Sequence, residues 1–149
     1  MPQVTLTEEC MRLISQFESL TGAGSRDCIV DNRNERIIFV INPGDMGLAI
    51  GKSGSSIKKA SDVMGKRIEV VEYSADPGQF LRNCFLPAQV TGIDFDTDEE
   101  DQQVAIIEVR DEDRGLAIGK AGKNIFKAKV LAQRQHDIAD VQLMQNDSA

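Results

Sequence analysis

The segment at residues 114–134, RGLAIGKAGKNIFKAKVLAQR, has a second copy beginning at Gly47, GLAIGKSGSSIKKASDVMGKR, and the two lie 68 residues apart. In a chain of 149 residues a repeat of that period leaves room for two small units of about 70 to 75 residues and for little else. Within each copy a short apolar stretch runs into Gly-Lys-x-Gly, and apolar residues then recur at helical spacing. Ile57, Ala60, Val63 and Met64 answer to Ile125, Ala128, Leu131 and Ala132. Those positions share one face of an α-helix, so residues 51–54 and 119–122 are predicted to form tight turns, each between two helices.

A glycine-rich turn at the start of a helix suits an anion. Glycine adopts left-handed angles and lets a ligand approach the main chain, while the first helical turn offers unpaired amides and the positive end of a dipole. Lys52 and Lys120 add a cation inside each turn. A nucleotide-binding P-loop needs GxxxxGK followed by Ser or Thr, whereas residues 47–53 read GxxxGKS, one residue short, and the second copy has Ala121 where a magnesium-binding hydroxyl belongs. What remains is the GxxG loop of a KH domain, which clamps the backbone of about four single-stranded nucleotides.

Net charge first argues against such a ligand, and its distribution then argues for it. The chain carries −7 overall, yet residues 47–67 carry +4 and residues 114–134 carry +6, which leaves −17 for the remainder. Basic charge is concentrated at the two repeats on an otherwise acidic body, the footprint of a local phosphate track. The alternative is that these lysines only solvate two helix faces. No apolar run is long enough to span a membrane, and the polar start MPQVTLTEEC is unlike a signal peptide, so a cytoplasmic location is expected. Cys10, Cys28 and Cys84 are odd in number and lack CxxC spacing; they read as small buried hydrophobes, with no metal or cofactor implied. The single histidine, His136, has no evident Ser or Cys partner, and no enzyme is expected.

The flanking pattern is the same in both halves. Thr5 and Glu8 form a capping box ahead of a helix that carries Leu6, Cys10, Leu13, Ile14, Phe17 and Leu20 on one face. Residues 27–30 and 36–41 flank a turn and form a hairpin whose second strand, IIFVI, is apolar enough to be central. A short helix at 45–50, the GxxG turn, a longer helix and a strand at 67–73 complete the unit. After a Pro-Gly linker at 74–78 the order repeats: a helix at 79–85, strands at 89–95 and 102–109, two helices about the second turn, and a closing strand at 136–143. Six acids crowd residues 94–101, where neither the Gly nor the Glu of a calcium loop is present, and a solvated turn is expected. Residues 145–149 are expected to be a frayed tail.

Each unit thus runs α-β-β-α-α-β, an order that resembles the type II (prokaryotic-type) KH domain. The fold expected is α+β: two tandem KH domains at 1–75 and 76–149, each a three-stranded sheet with helices packed on one face. Two such units in succession, carrying PGDMGLAIGKSGSSIK, resemble the tandem KH module of the NusA family, in particular its short archaeal form. The resemblance covers almost the whole chain. It implies single-stranded RNA binding in transcription elongation, termination or antitermination, with RNA polymerase and other transcription factors as prospective partners. Bacterial NusA also carries an N-terminal polymerase-binding domain and an S1 domain, for which no segment here accounts, so direct polymerase contact is not implied.

By analogy with KH domains, Gly51, Lys52, Ser53 and Gly54, and likewise Gly119, Lys120, Ala121 and Gly122, hold backbone phosphates. Lys58, Lys59, Lys123, Lys127 and Lys129 extend the track, and Ile50, Ile57, Ile118 and Ile125 line a base-binding groove; for Ile57 and Ile125 plain core packing is an equal reading. There is no Trp and one Tyr, so stacking is poorly provided for and base contacts are expected to be aliphatic. A KH scaffold that binds protein in place of RNA is the alternative function.

Overall fold

The computed structural model describes residues 4–145, which divide into two compact units, one at Val4–Ser74 and one from Ala75 onward. In the first, α1 (Glu8–Thr21) opens against a hairpin of β1 (Ser25–Asp31) and β2 (Arg36–Ile41). α2 (Met46–Ile50), a single 3-10 turn (Lys52–Gly54) and α3 (Ser55–Met64) then carry the chain to β3 (Arg67–Glu72). β2 is central, antiparallel to β1 and parallel to β3. A parallel partner requires a crossover, and the α2–turn–α3 segment is that crossover.

Local chemistry explains where the elements begin and end. The N-cap of α1 is Thr7, whose hydroxyl accepts from the Cys10 amide at 3.1 Å, and not Thr5 as the capping-box spacing suggests. Thr7 is favoured because Glu8 and Glu9 then fall in the first turn, against the positive end of the helix dipole. Gly22, at φ 83°, closes the helix by donating to Glu18 O at 2.7 Å. One face of α1 presents Leu13 and Phe17 to the sheet, where the Phe17 ring stacks on Phe39 with centroids 4.3 Å apart. Around that pair are Ile37, Ile41, Ala49, Ala60 and Ile68, with Ile57 and Met64 packed at the edge. Val63, expected on the same stripe, is 56% exposed; the α3 face that meets the core is narrower than its apolar pattern.

All six residues of β2 are buried, including Arg36. Its guanidinium is taken up by Asp31 at 2.8 Å and Glu69 at 3.0 Å, one from each neighbouring strand. Burial pushes the Asp31 carboxyl upward, but hydrogen bonds from Asn34 and Arg36 outweigh it and hold the group below the ordinary carboxylate value.

The second unit repeats the plan with α4 (Pro77–Phe85), β4 (Val90–Thr97), β5 (Gln103–Val109), α5 (Arg114–Ile118), α6 (Lys123–His136) and β6 (Asp140–Leu143). Its sheet order is β4-β5-β6, with the same antiparallel and parallel pairings, and the hairpin of each unit carries an irregularity near its start, between Ser25 and Asp27 and between Val90 and Gly92. α4 begins earlier than expected. Pro77 is its first residue and Asp76 its N-cap, accepting from the Gln79 amide at 2.9 Å, so the Pro-Gly pair opens a helix instead of stiffening a linker. His136 ends α6, in place of starting the closing strand, and its ring lies 5.3 Å from that of Phe80. The acidic run is only partly a turn: Asp94 and Asp96 lie in β4, while Asp98 organises the bend by accepting from the Glu100 and Gln102 amides, each at 2.9 Å. Of the expected tail, residues 146–149 lie outside the described residues.

Replacing Asp31 by Asn strips a charge from buried Arg36 and should cost about 3 kcal/mol at pH 7, the usual effect of breaking a buried pair. Because the folded carboxyl titrates below its unfolded value, that contribution is complete above the unfolded value and is lost as pH falls through the folded one. Urea denaturation of parent and variant should therefore differ at neutral pH and converge under strongly acidic conditions; a gap that stays constant contradicts the assignment.

Candidate nucleic-acid interface

The two GxxG turns have the same backbone. Gly51 and Gly119 lie at φ 75° and 78°, Ser53 and Ala121 at φ 54° and 57°, and Gly54 and Gly122 at φ 76° and 75°. Lys52 and Lys120 are the one residue of each turn without a positive φ, and each is followed by two residues that have one. A right-handed residue followed by a left-handed one, as at Lys52–Ser53 and Lys120–Ala121, is the backbone sequence of an anion-binding concavity. Gly54 N–H donates to Gly51 O at 3.1 Å and Gly122 N–H to Gly119 O at 3.1 Å, which closes each turn. Among the described residues the amides of Lys52, Ser53, Lys120 and Ala121 have no backbone acceptor.

The first glycine of each turn is required by the protein itself. A Cβ on Gly51 would sit 2.7 Å from the Ser56 amide and against its side chain; one on Gly119 would sit 2.7 Å from the Asn124 amide. The turn folds back on the first turn of the following helix at van der Waals contact. The second glycine has room around it but keeps a left-handed angle. Gly54 and Gly122 are the N-caps of α3 and α6, and neither helix has a side-chain cap. The first amide of each helix is spent inside the turn, Ser55 N–H donating to Lys52 O and Lys123 N–H to Lys120 O. The donors left for an external acceptor are led by the turn amides of Lys52, Ser53, Lys120 and Ala121.

A matched carboxylate anchors each turn from behind. Asp45, just before α2, accepts from the Gly24 amide at 2.9 Å; Asp113, just before α5, accepts from the Gln89 amide at 3.0 Å and from Arg110 at 3.0 Å. The backbone bond from Gln89, then the guanidinium of Arg110, hold the Asp113 carboxyl below the ordinary value. The short helix that leads into each turn is thereby fixed to the loop that enters the sheet.

Side chains sort into three groups. Lys52, Lys58, Lys59 and Lys120 are exposed, and no ion pair within the described residues engages them. Lys123 is half-buried at the start of α6. Two expected cations leave the track: Lys127 is only 7% exposed, and Lys129 pairs with Asp140 at 3.5 Å. Lys127 fails as a surface phosphate contact because α4 packs on α6 and covers it; its charge acts on the Cys84 thiol of α4, whose burial pushes that thiol up to about 12. Cys28 is likewise buried and shifted upward, and the half-buried Cys10 thiol donates to Cys28 O at 3.1 Å, so the cysteines pack as expected of unreactive thiols.

The apolar rim is wider than the sequence suggested. Ile50 and Ile118 stand exposed beside the turns, and so do Leu48 and Leu116, while the intervening Ala49 and Ala117 are buried. Ile57 and Ile125 are half-buried, and Ile57 packs against the core. Leu48 and Leu116 could have been found: GLAI stands unchanged in both copies, and a helix of five residues cannot bury leucine and isoleucine on either side of a buried alanine.

These features define a protein of two type II KH domains in tandem. A KH domain model matches residues 13–75, and a model of the NusA-like second KH domain matches residues 77–146. The chain is 39% identical over 140 residues to the probable transcription termination protein NusA of Halobacterium salinarum, a match that covers 94% of this chain and 98% of that one. It is 33% identical over 144 residues to the corresponding protein of Methanocaldococcus jannaschii, covering 97% and 77%. Against the transcription termination/antitermination protein NusA of Thermus thermophilus it is 29% identical over 109 residues, 72% of this chain but 27% of that one. The crystal structure of APE1850 superposes with a TM-score of 0.83 at 37% identity, over 93% of this chain and all of that one. The chain belongs to the NusA family.

Substitution separates the roles of the two glycines. Gly54→Ala meets only the left-handed penalty and should lose about 1 to 2 kcal/mol. Gly51→Ala adds a collision with the backbone of α3 and should lose clearly more, as Gly119→Ala should relative to Gly122→Ala. Chemical denaturation of the four variants tests the ranking; equal losses within a turn would show that the first glycine is not held by the following helix.

Proposed function

We propose that the chain binds single-stranded RNA at its two GxxG turns and acts in transcription termination or antitermination. The observation that supports this most directly is the duplicated site. In both units a left-handed turn, a helix start without a side-chain cap, an exposed lysine and an exposed aliphatic pair occur together, on a chain that is acidic elsewhere. Phosphate meets the amides and Lys52 or Lys120, and bases meet the aliphatic rim. The names of the archaeal relatives supply the transcriptional setting. Among the described residues no helix is long and apolar enough to cross a membrane, in keeping with action on RNA in the cytoplasm. The acidic, exposed β4 favours the second reading, a scaffold that docks a basic protein of the transcription machinery. RNA affinity lost at physiological salt beside a salt-stable protein complex would establish that reading.

We take the role to be binding without turnover: neither turn has the spacing that wraps a polyphosphate, and ATP should be neither bound at sub-millimolar concentration nor hydrolysed.

Lys52→Ala and Lys120→Ala should each weaken RNA of any sequence and reduce the magnitude of the log–log salt slope by about 0.7, the value for one single-strand phosphate contact. An unchanged slope would place these ammonium groups in bulk solvent. The tether adds a second expectation. Only residues 73–76 separate β3 from α4, at most about 3.6 Å each, so binding by the second unit follows the first at high effective concentration. A strand of about ten nucleotides should bind at least tenfold tighter than one of about five, whereas equal affinities mean that the turns do not act on one strand.

A further inference from the structure

The two sites differ at one exposed position. Counting 68 residues on from Lys58 leads to Phe126, so the first copy presents an ammonium where the second presents a phenyl ring. Phe126 lies four residues past Gly122, in the second turn of α6, and is 44% exposed. Nothing in the core accounts for it: Ala128, Leu131 and Ala132 form the buried stripe of α6, and Ile125 is already half-buried beside them. A lone exposed apolar residue is ordinary on a protein surface. This one stands on the most basic segment of the chain, which carries six basic residues and no acid; helical spacing places Lys123 and Lys129 three residues to either side of it on the same face, Lys129 in an ion pair with Asp140 at 3.5 Å.

An aromatic set among cations suits a ligand that is flat, apolar in its faces and anionic at its edge. A nucleobase on its phosphate backbone has that chemistry, and base–aromatic stacking tolerates any sequence because each base has a π-face. A basic protein would be repelled by the +6 charge of the segment as a whole, and an acidic one gains nothing from a planar ring. We propose that Phe126 is a base-stacking residue of the second site, so that the second unit holds one nucleotide by its base where the first unit, through Lys58, holds a phosphate. The inference rests on the RNA-binding function and refines it: the two sites are not equivalent, and base contact is stronger in the second.

The absence of Trp from the chain makes the test direct. In the full chain, Phe126→Ala should weaken a ten-nucleotide single-stranded RNA about tenfold without changing the salt slope, since no charge is lost. Phe126→Trp should bind within threefold of the parent, and its emission should be quenched by that RNA but not by inorganic polyphosphate, which has backbone charge and no bases. Thermal melting of both variants should match the parent, because the ring is outside the core. A Phe126→Ala variant that binds within twofold of the parent, or a tryptophan that responds equally to RNA and polyphosphate, overturns the stack while leaving RNA binding intact. A parent chain that binds no RNA at low salt overturns the RNA-binding function itself.

Discussion

The contact on which both sites depend is the one between the first glycine of each turn and the helix that follows it. With no Cβ at Gly51 or Gly119, the chain folds back onto the Ser56 or Asn124 amide and starts α3 or α6 at once. The consequence is a helix that starts with no side-chain cap, its first amide closed onto the turn and the amides of Lys52 and Ser53, or Lys120 and Ala121, left without a backbone acceptor. Two non-glycine residues are held left-handed in the process, Ser53 and Ala121, at roughly 1 to 2 kcal/mol each. Strain of that size, kept at the same place in both copies, concentrates where a ligand is held.

Around that contact the fold supplies rigidity at both ends. The turn is part of the crossover between two parallel strands, so its position is set by β2 and β3, or by β5 and β6, and by the carboxylates of Asp45 and Asp113 at its rear. In the first unit the buried Arg36, shared between Asp31 and Glu69, ties the three strands at the edge where the crossover returns. Two amides of each four-residue turn are spent on holding its shape, Gly51 N–H on Gly47 O and Gly54 N–H on Gly51 O in the first copy, which leaves two unbonded to the backbone. The sheet and the two aspartates hold the turn in place, and under the proposed function the lysines add long-range attraction on a body whose net charge would otherwise repel RNA.

Most of the architecture was legible because it is written twice. The 68-residue repeat carried the α-β-β-α-α-β order, the central β2 and the position of both turns, each a consequence of local pattern. Several of the differences share one cause, the assumption that matched positions have matched surroundings. Lys59 is exposed and Lys127 is buried, Val63 is exposed and Leu131 is buried, because α6 is longer than α3 and lies under α4. Such differences depend on how one helix covers another, which periodicity does not encode. His136 was misplaced for a related reason: α6 runs to 14 residues, against 10 for α3, and the copy offered no guide beyond its own length. Leu48 and Leu116 were overlooked although their exposure follows from the shortness of α2 and α5.

Direct observation of the backbone amides tests the central claim. Titration of the isotopically labelled chain with a ten-nucleotide single-stranded RNA, followed by amide resonances, should move the signals of Lys52, Ser53 and Gly54 and those of Lys120, Ala121 and Gly122 first and furthest, with smaller shifts along α2, α3, α5 and α6. Shifts confined to one turn would contradict the duplicated site. Shifts centred on β1 and β4, with both turns unmoved, would contradict the account as a whole.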